Sequence, residues 1–326
     1  MDIVIGHETA LEFWRSPRGN ALFRAGALKR KVPPSFLEAP ASRPAMRLPV
    51  AVRTDLGALA SCFSQKPLHL IVPHAACRTR RKDVVCHVMT GKVATSHFYK
   101  IAEGVYASSP EAVFAQAAAV LQVEHLIQLG FELCGTYRRS PLFEGGCAFD
   151  QPVLASVAAL GTCLEATPGA RGGVAGRRAL PYVLAASASP METVVAMLLC
   201  LPPRWGGYGL PLPQMNDPVS IPSGVRGVGV GRTARCDLYW KSAKLDVEYD
   251  GRVHDSPNEH ARDAARRTAL GYKGITVITV RREQLYSQAE FDKMVVAIRR
   301  HLGVRVRPQA SDWQRKMMKL RATILP

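Results

Sequence analysis

The segment Leu245-Asp-Val-Glu-Tyr-Asp250 alternates apolar and acidic side chains at every step. Successive side chains of an extended strand point to opposite faces, so Asp246, Glu248 and Asp250 share one face while Leu245, Val247 and Tyr249 share the other. The segment therefore reads as a strand with one packed face and one crowded with negative charge. A neighbouring strand is expected over Ala234 to Trp240, joined through the turn-like Lys241-Ser-Ala-Lys244. On it Asp237 lies between Arg235 and Tyr239, while Cys236, Leu238 and Trp240 supply the packing face. Carboxylates gathered on adjacent strands repel one another, and a hard cation with oxygen ligands would relieve the repulsion. Magnesium is the natural candidate. The same acids could instead sit on a solvated sheet face, paired with Arg235 or Arg252.

Around these strands the second half reads as a compact series. Ser189-Pro190-Met191-Glu192 opens a helix to about Cys200, which Pro202 and Pro203 stop. A Gly/Pro-rich segment leads into a first strand or bend, and the two acidic strands follow. Next come a helix from about Asn258 to Leu270 closed by Gly271, a strand Ile275 to Val280, and a helix from about Gln288 to His301. On the helix after the acidic strands, Ala261, Ala264, Ala265, Ala269 and Tyr272 are expected to face inward, with Arg262 and Arg266 at the polar margin.

The first half reads differently. Leu68 to Val72 and Val84 to Val88 look like short strands, with Phe98 to Val105 a weaker third. Ser108-Ser-Pro110-Glu111 starts a helix, and more helix is expected through residue 139 and across residues 151–166. The stretch Thr167-Pro-Gly-Ala-Arg-Gly-Gly-Val-Ala-Gly-Arg-Arg178 suits an exposed connection. The expected division is an α+β domain over residues 1–166, a linker over 167–188, an α/β domain over 189–302 and a basic tail over 303–326.

Composition adds partners rather than fold. The 326 residues carry a formal charge of +17, spread over both halves: 21 lysines and arginines against 13 acids before residue 189, and 22 against 13 after it. Such a surface attracts polyanions, nucleic acid first among them, although a basic balance also arises for solubility alone. No apolar run approaches a membrane span, so no membrane partner is expected. The opening residues lack the basic stretch and apolar core of a secretory signal, and the eight cysteines are scattered singly. The expectation is a cytoplasmic protein with reduced thiols. His74, Cys77, Cys86 and His87 could be drawn as a zinc site, but their spacing is irregular.

Three groups of residues, in order, carry a resemblance. They are Arg235-Cys-Asp237-Leu-Tyr-Trp240; Val247-Glu248-Tyr-Asp250-Gly251 with His254 beyond; and Asp263-Ala-Ala-Arg266 with Leu270-Gly-Tyr272. Residues 189–302 resemble the PD-(D/E)XK nucleases, in the branch related to very-short-patch repair endonucleases. The resemblance implies a restriction-endonuclease-like mixed sheet flanked by helices. It also implies a magnesium-dependent DNA endonuclease, nicking one strand or cutting both, in which manganese can substitute. Asp237, Glu248 and the carbonyl of Tyr249 would bind the metal. Glu192 matches the helical acid that reaches a metal-bound water, though Ser189-x-x-Glu192 is equally a capping box. The family's usual lysine is Asp250 here, which leaves the general base open; His254 matches the histidine of the short-patch branch and could relay a proton near neutral pH. Arg262 and Arg266 are alternatives for charge at the phosphate. In the first half, Gly6-His-Glu-Thr-Ala-Leu11 and Ser109-Pro-Glu111 faintly resemble the C-terminal domain of abortive-infection antitoxins. That half would choose the target or a partner, a second copy of the chain included. A nuclease fold that has lost its chemistry and acts as a DNA-binding regulator is the rival reading.

The last segment is basic and amphipathic. Ser311 can cap a helix with Trp313, Met317 and Leu320 on one side and Arg315, Lys316 and Lys319 over the rest. The apolar side is expected to dock on the protein and the basic side to meet DNA phosphates.

Overall fold

In a computed structural model the chain forms two compact units, Met1–Val183 and Leu184–Pro326. The described residues are 2–37, 56–64, 67–89, 93–167, 169–225, 231–251, 257–305 and 311–326. Both units mix helices with mixed parallel and antiparallel sheets, an α/β chain. Among the described residues no helix is long and apolar enough to cross a membrane.

The first unit is built on strands β1 (Ile3–Ile5), β2 (Lys29–Arg30), β3 (Leu68–Val72), β4 (Val84–Val88), β5 (Phe98–Ala102) and β6 (Val105–Ser108), in the order β2-β5-β6-β1-β3-β4. The shortest apolar strand is central: β1 runs parallel to β6 and antiparallel to β3, and all three of its residues are buried. The stretch Phe98 to Val105 is not one strand but a hairpin, turned at Gly104, whose φ of +65° suits glycine. Helices α1 (His7–Arg15) and α2 (Pro17–Arg24) follow β1. Ser16 caps α2 by accepting from Gly19 N at 2.9 Å, and α1 buries Thr9, Ala10, Phe13 and Trp14.

Helix α3 (Pro110–Ala117) starts at Ser109, whose hydroxyl accepts from Ala112 N. Helix α4 (Val123–Leu133) stops well short of residue 139, where Arg138–Arg139 (β7) instead pairs with Cys147–Ala148 (β8). Helix α5 (Val157–Ala166) follows. The presumed linker holds a helix of its own, α6 (Gly173–Ala179), packed against α3, α4 and α5. Two glycines explain it. Gly172, at φ +91°, lets the chain approach so near the backbone at Ala118 that an added Cβ would lie 2.4 Å away, and Gly176 sits as close against Leu164. The division falls after Val183 rather than across 167–188.

The second unit opens with α7 (Pro190–Cys200), buried from Glu192 onward. Then come β9 (Gln214–Ser220), β10 (Thr233–Trp240), β11 (Leu245–Asp250), α8 (Pro257–Tyr272) and β12 (Thr276–Arg281). The strands lie in the order β12-β11-β10-β9: β9, β10 and β11 form an antiparallel meander, and α8 carries the chain to β12, parallel to β11. Lys244, at φ +49°, makes the tight turn between β10 and β11. The chain ends with α9 (Arg282–Tyr286), α10 (Gln288–Leu302) and α11 (Trp313–Ile324).

One expectation changes here. The inward face of α8 is turned from the one expected: Ala261 and Ala264 are exposed and Tyr272 is 74% exposed, while Ala269 and Leu270 are buried and Arg266 is half-buried. The tail docks by its apolar side, as expected, and joins this unit's core. Met317, Leu320, Arg321 and Ile324 of α11 are buried, Trp313 Nε1 donates to Gly207 O at 3.0 Å, and the Arg321 guanidinium donates to Leu285 O.

Candidate functional site

The site grows from the middle of the sheet. The register Leu238↔Val247, Tyr239↔Asp246 and Trp240↔Leu245 sets β10 against β11, with Asp237 just beyond the paired positions. There the carboxylate of Asp237 takes the role of a ladder carbonyl: its Oδ2 accepts from Tyr249 N at 3.2 Å. The N–H and carbonyl of an extended residue point to the same strand edge, so the Tyr249 carbonyl faces the side on which Asp237 lies. Strict alternation fails nearby. Cys236 and Tyr239, three residues apart, pack in one apolar cluster with Ala269 and Leu270, so Cys236 is not on a face opposite Tyr239 as simple alternation requires. In β9, Asn216 has φ +49° and falls between the paired residues Met215 and Asp217. Irregular strand geometry of this kind redirects side chains and recurs beside functional sites.

Asn216 uses that redirection. Its Nδ2 donates to Glu192 Oε2 at 2.6 Å, and Ala188 N donates to the same oxygen at 2.9 Å. Ser189 Oγ accepts from Glu192 N at 3.1 Å. Glu192 thus closes the start of α7 and is also fastened to the sheet. Its pKa is raised, through burial, against the pull of those hydrogen bonds.

The acids act on one another. Burial pushes Asp237 up to about 7, and the charges of Glu192 and Glu248 push the same way; Tyr249 N–H and Arg266 oppose them. Asp246 is wholly buried beside Glu248 and the Cys236 thiol, and burial, with the charges of Glu248 and Asp237, drives it up to about 9. Among the described residues one cation answers this group. Arg266 Nη2 lies 2.5 Å from Glu248 Oε1, and the same guanidinium donates to Arg235 O. Burial works against its charge, yet Glu248, Asp246 and Asp237 together hold its pKa above the ordinary value.

Four carboxylates are therefore gathered: Glu192 from α7, Asp237 from β10, and Asp246 and Glu248 from β11. Asp250 is not among the groups acting on Asp237 or Asp246; its charge is felt at the Tyr249 phenol, beside Arg282 and Glu283 of α9. His254, like Arg252, lies outside the described residues. Arg262 is exposed on α8. On α11, Lys319 is exposed, while Lys316 and Arg315 reach Asp312 at 2.7 and 3.7 Å. The members that sequence reasoning did not place in the site are Asp246 and Asn216. Asp246 was visible as one of the alternating acids, but its burial depends on packing; nothing in Gln-Met-Asn216 announces a left-handed residue.

Among the described residues no three acid, histidine or cysteine groups are arranged to hold a metal ion. Glu248 is engaged by Arg266, and Glu192 by Ala188 and Asn216. The donor chemistry nevertheless fits a hard cation. The oxygens are carboxylate and carbonyl, and among the described residues the acids outnumber the guanidinium beside them. No family model, curated protein or solved structure matches the chain.

Proposed function

We propose that the chain is a magnesium-dependent DNA endonuclease with the restriction-endonuclease-like core of the PD-(D/E)XK class, in the branch related to very-short-patch repair. One observation carries the reading: Glu192, Asp237, Asp246 and Glu248 crowd together on a sheet reached in the order helix, three antiparallel strands, helix, parallel strand. Holding so many acids together is costly unless protons or a cation relieve their charge.

In this reading Asp237, Glu248 and the Tyr249 carbonyl hold Mg2+, with Mn2+ as a substitute. The ion supplies charge for the scissile phosphate and lowers the pKa of water. Glu192 is held by Asn216 where it feels Asp237, and orients water beside it. Arg266, beside Glu248, would supply positive charge to a phosphate held at this site. Arg262, Arg315, Lys316 and Lys319 contact the DNA backbone, which positions without reading sequence. Asp250 stands where the family has lysine, so His254 is the candidate for proton transfer.

The contact between Arg266 and Glu248 and the acid at position 250 favour one rival: a DNA-binding regulator, antitoxin-like in setting, that keeps the fold without the chemistry. Supercoiled plasmid separates the two. Nicking with Mg2+ or Mn2+ that stops in EDTA, and that slows at least about a hundredfold in Asp237→Asn, supports the enzyme. DNA binding with no cleavage in either metal leaves the regulator.

A further inference from the structure

The first unit contains a cavity of about 530 Å³, a volume suited to a small organic ligand. Its lining is one-sided in charge. Arg78 and Arg171 stand exposed at its margin, and no acidic side chain among the described residues lines it. Glu111, whose charge reaches His97, is tied to Arg30 at 2.7 Å. Ile71, Val88, Met89 and Phe98 give it apolar walls.

Between walls and margin stand His7, His87 and His97. His7 follows β1 in a left-handed conformation, φ +48°, with its backbone N–H held by Gln116 Oε1 at 2.7 Å. Its ring stacks on His87 with centroids 3.6 Å apart, and His69 Nδ1 meets His87 Nε2 at 3.0 Å. Burial and the two other imidazoles push His7 down to about 3, and burial lowers His87 and His97. At neutral pH these rings are uncharged; His87 Nε2 is engaged by His69 and His97 Nδ1 accepts from Ala94 N at 3.4 Å, which leaves each of these two rings one further nitrogen. The permanent charge is left to the arginines.

We propose that this cavity binds a nucleoside monophosphate, the base between the apolar walls with its edge read by the neutral imidazoles, and the phosphate at Arg78 and Arg171. A planar heterocycle presents alternating donors and acceptors, which neutral imidazoles match. Guanidinium forks match phosphate oxygens. The site lies wholly in the first unit and uses none of the acidic cluster, so it stands or falls independently of the endonuclease reading.

Calorimetric titration of the full chain with AMP and CMP, beside adenosine and inorganic phosphate, tests it. The expected result is one saturable site per chain, binding at least one of the nucleotides about tenfold or more tightly than either adenosine or phosphate. Replacing both rim arginines, Arg78→Gln with Arg171→Gln, should weaken that binding about tenfold or more without disturbing the fold, since both are exposed. Ala119→Trp, filling the cavity from its wall, should abolish it. Equal affinity for phosphate and nucleotide would reduce the site to an anion patch. Binding that survives both sets of substitutions, or no saturable binding at all, overturns the proposal.

Discussion

His7 joins backbone strain, burial and charge in one side chain. Left-handed backbone is uncommon outside glycine, and histidine and asparagine are among the residues that tolerate it. The folded protein refuses this imidazole a proton until about pH 3, whereas the unfolded chain accepts one near the ordinary 6.5. Above 6.5 neither state holds the proton and His7 adds no pH dependence. Below 6.5 the unfolded chain binds more protons, so stability falls as pH drops through 6.5 and keeps falling toward 3. For one such group the slope approaches about 1.4 kcal/mol per pH unit. Melting scans between pH 7.5 and 5 should show a falling midpoint in the wild-type protein and a shallower fall in His7→Asn, which keeps the left-handed backbone but cannot titrate. The difference in slope is the readout, because losing the stacked ring shifts every midpoint together. Equal slopes would mean that His7 is protonated in the folded protein well above pH 3.

The elements of the second unit depend on close approach as much as on pattern. Gly206, at φ +90°, lies under α11 so tightly that an added Cβ would sit 2.4 Å from Lys316 O and 2.6 Å from Met317 N. Gly206→Ala therefore meets backbone strain and a collision with the helix, at a cost on the order of 2 kcal/mol or more. Thermal unfolding should begin several degrees lower, with Trp313 fluorescence shifting early as its bond to Gly207 O is lost. An unchanged midpoint would show that α11 is not docked there. This dependence on contact marks where sequence reading ends. The alternation in β11 and the serine caps of α3 and α7 are local rules of backbone geometry, and they were legible. The expectation that Asp237 and Glu248 feel one another needs only adjacent strands, and the charge of Glu248 does act on Asp237. Strand β1 was not legible: three apolar residues carry no period, and their place at the sheet's centre comes from β3 and β6, far along the chain. Helix α6 hides behind glycines that read as linker but serve packing. The face of α8 was misjudged because its alanines suggested an apolar seam, while the attraction of Glu248 for Arg266 belongs to the folded sheet.

At the scale of the whole chain the charge of +17 must be divided between positions that hold the fold and positions free to meet phosphate. Arg321 belongs to the first kind, buried and donating to Leu285 O. Removing everything after Leu302 would thus strip core residues along with charge, and weakened DNA binding by such a protein would say nothing about phosphate contacts. Arg315, Lys316 and Lys319 belong to the second kind. Lys319 is exposed, and the other two share the single exposed carboxylate of Asp312, a kind of contact that competes poorly with phosphate. Replacing all three with glutamine should leave the melting midpoint nearly unchanged. Each phosphate contact contributes about 0.9 to the slope of log affinity against log salt, so if all three bind duplex DNA the slope should become shallower by about 2 to 3. The loss should be alike for unrelated duplexes, because backbone contacts carry no sequence preference. An unchanged slope with an intact fold would assign α11 to packing alone, and the cations that bring this chain to DNA would have to lie elsewhere, with Arg262 and Arg266 the next to substitute.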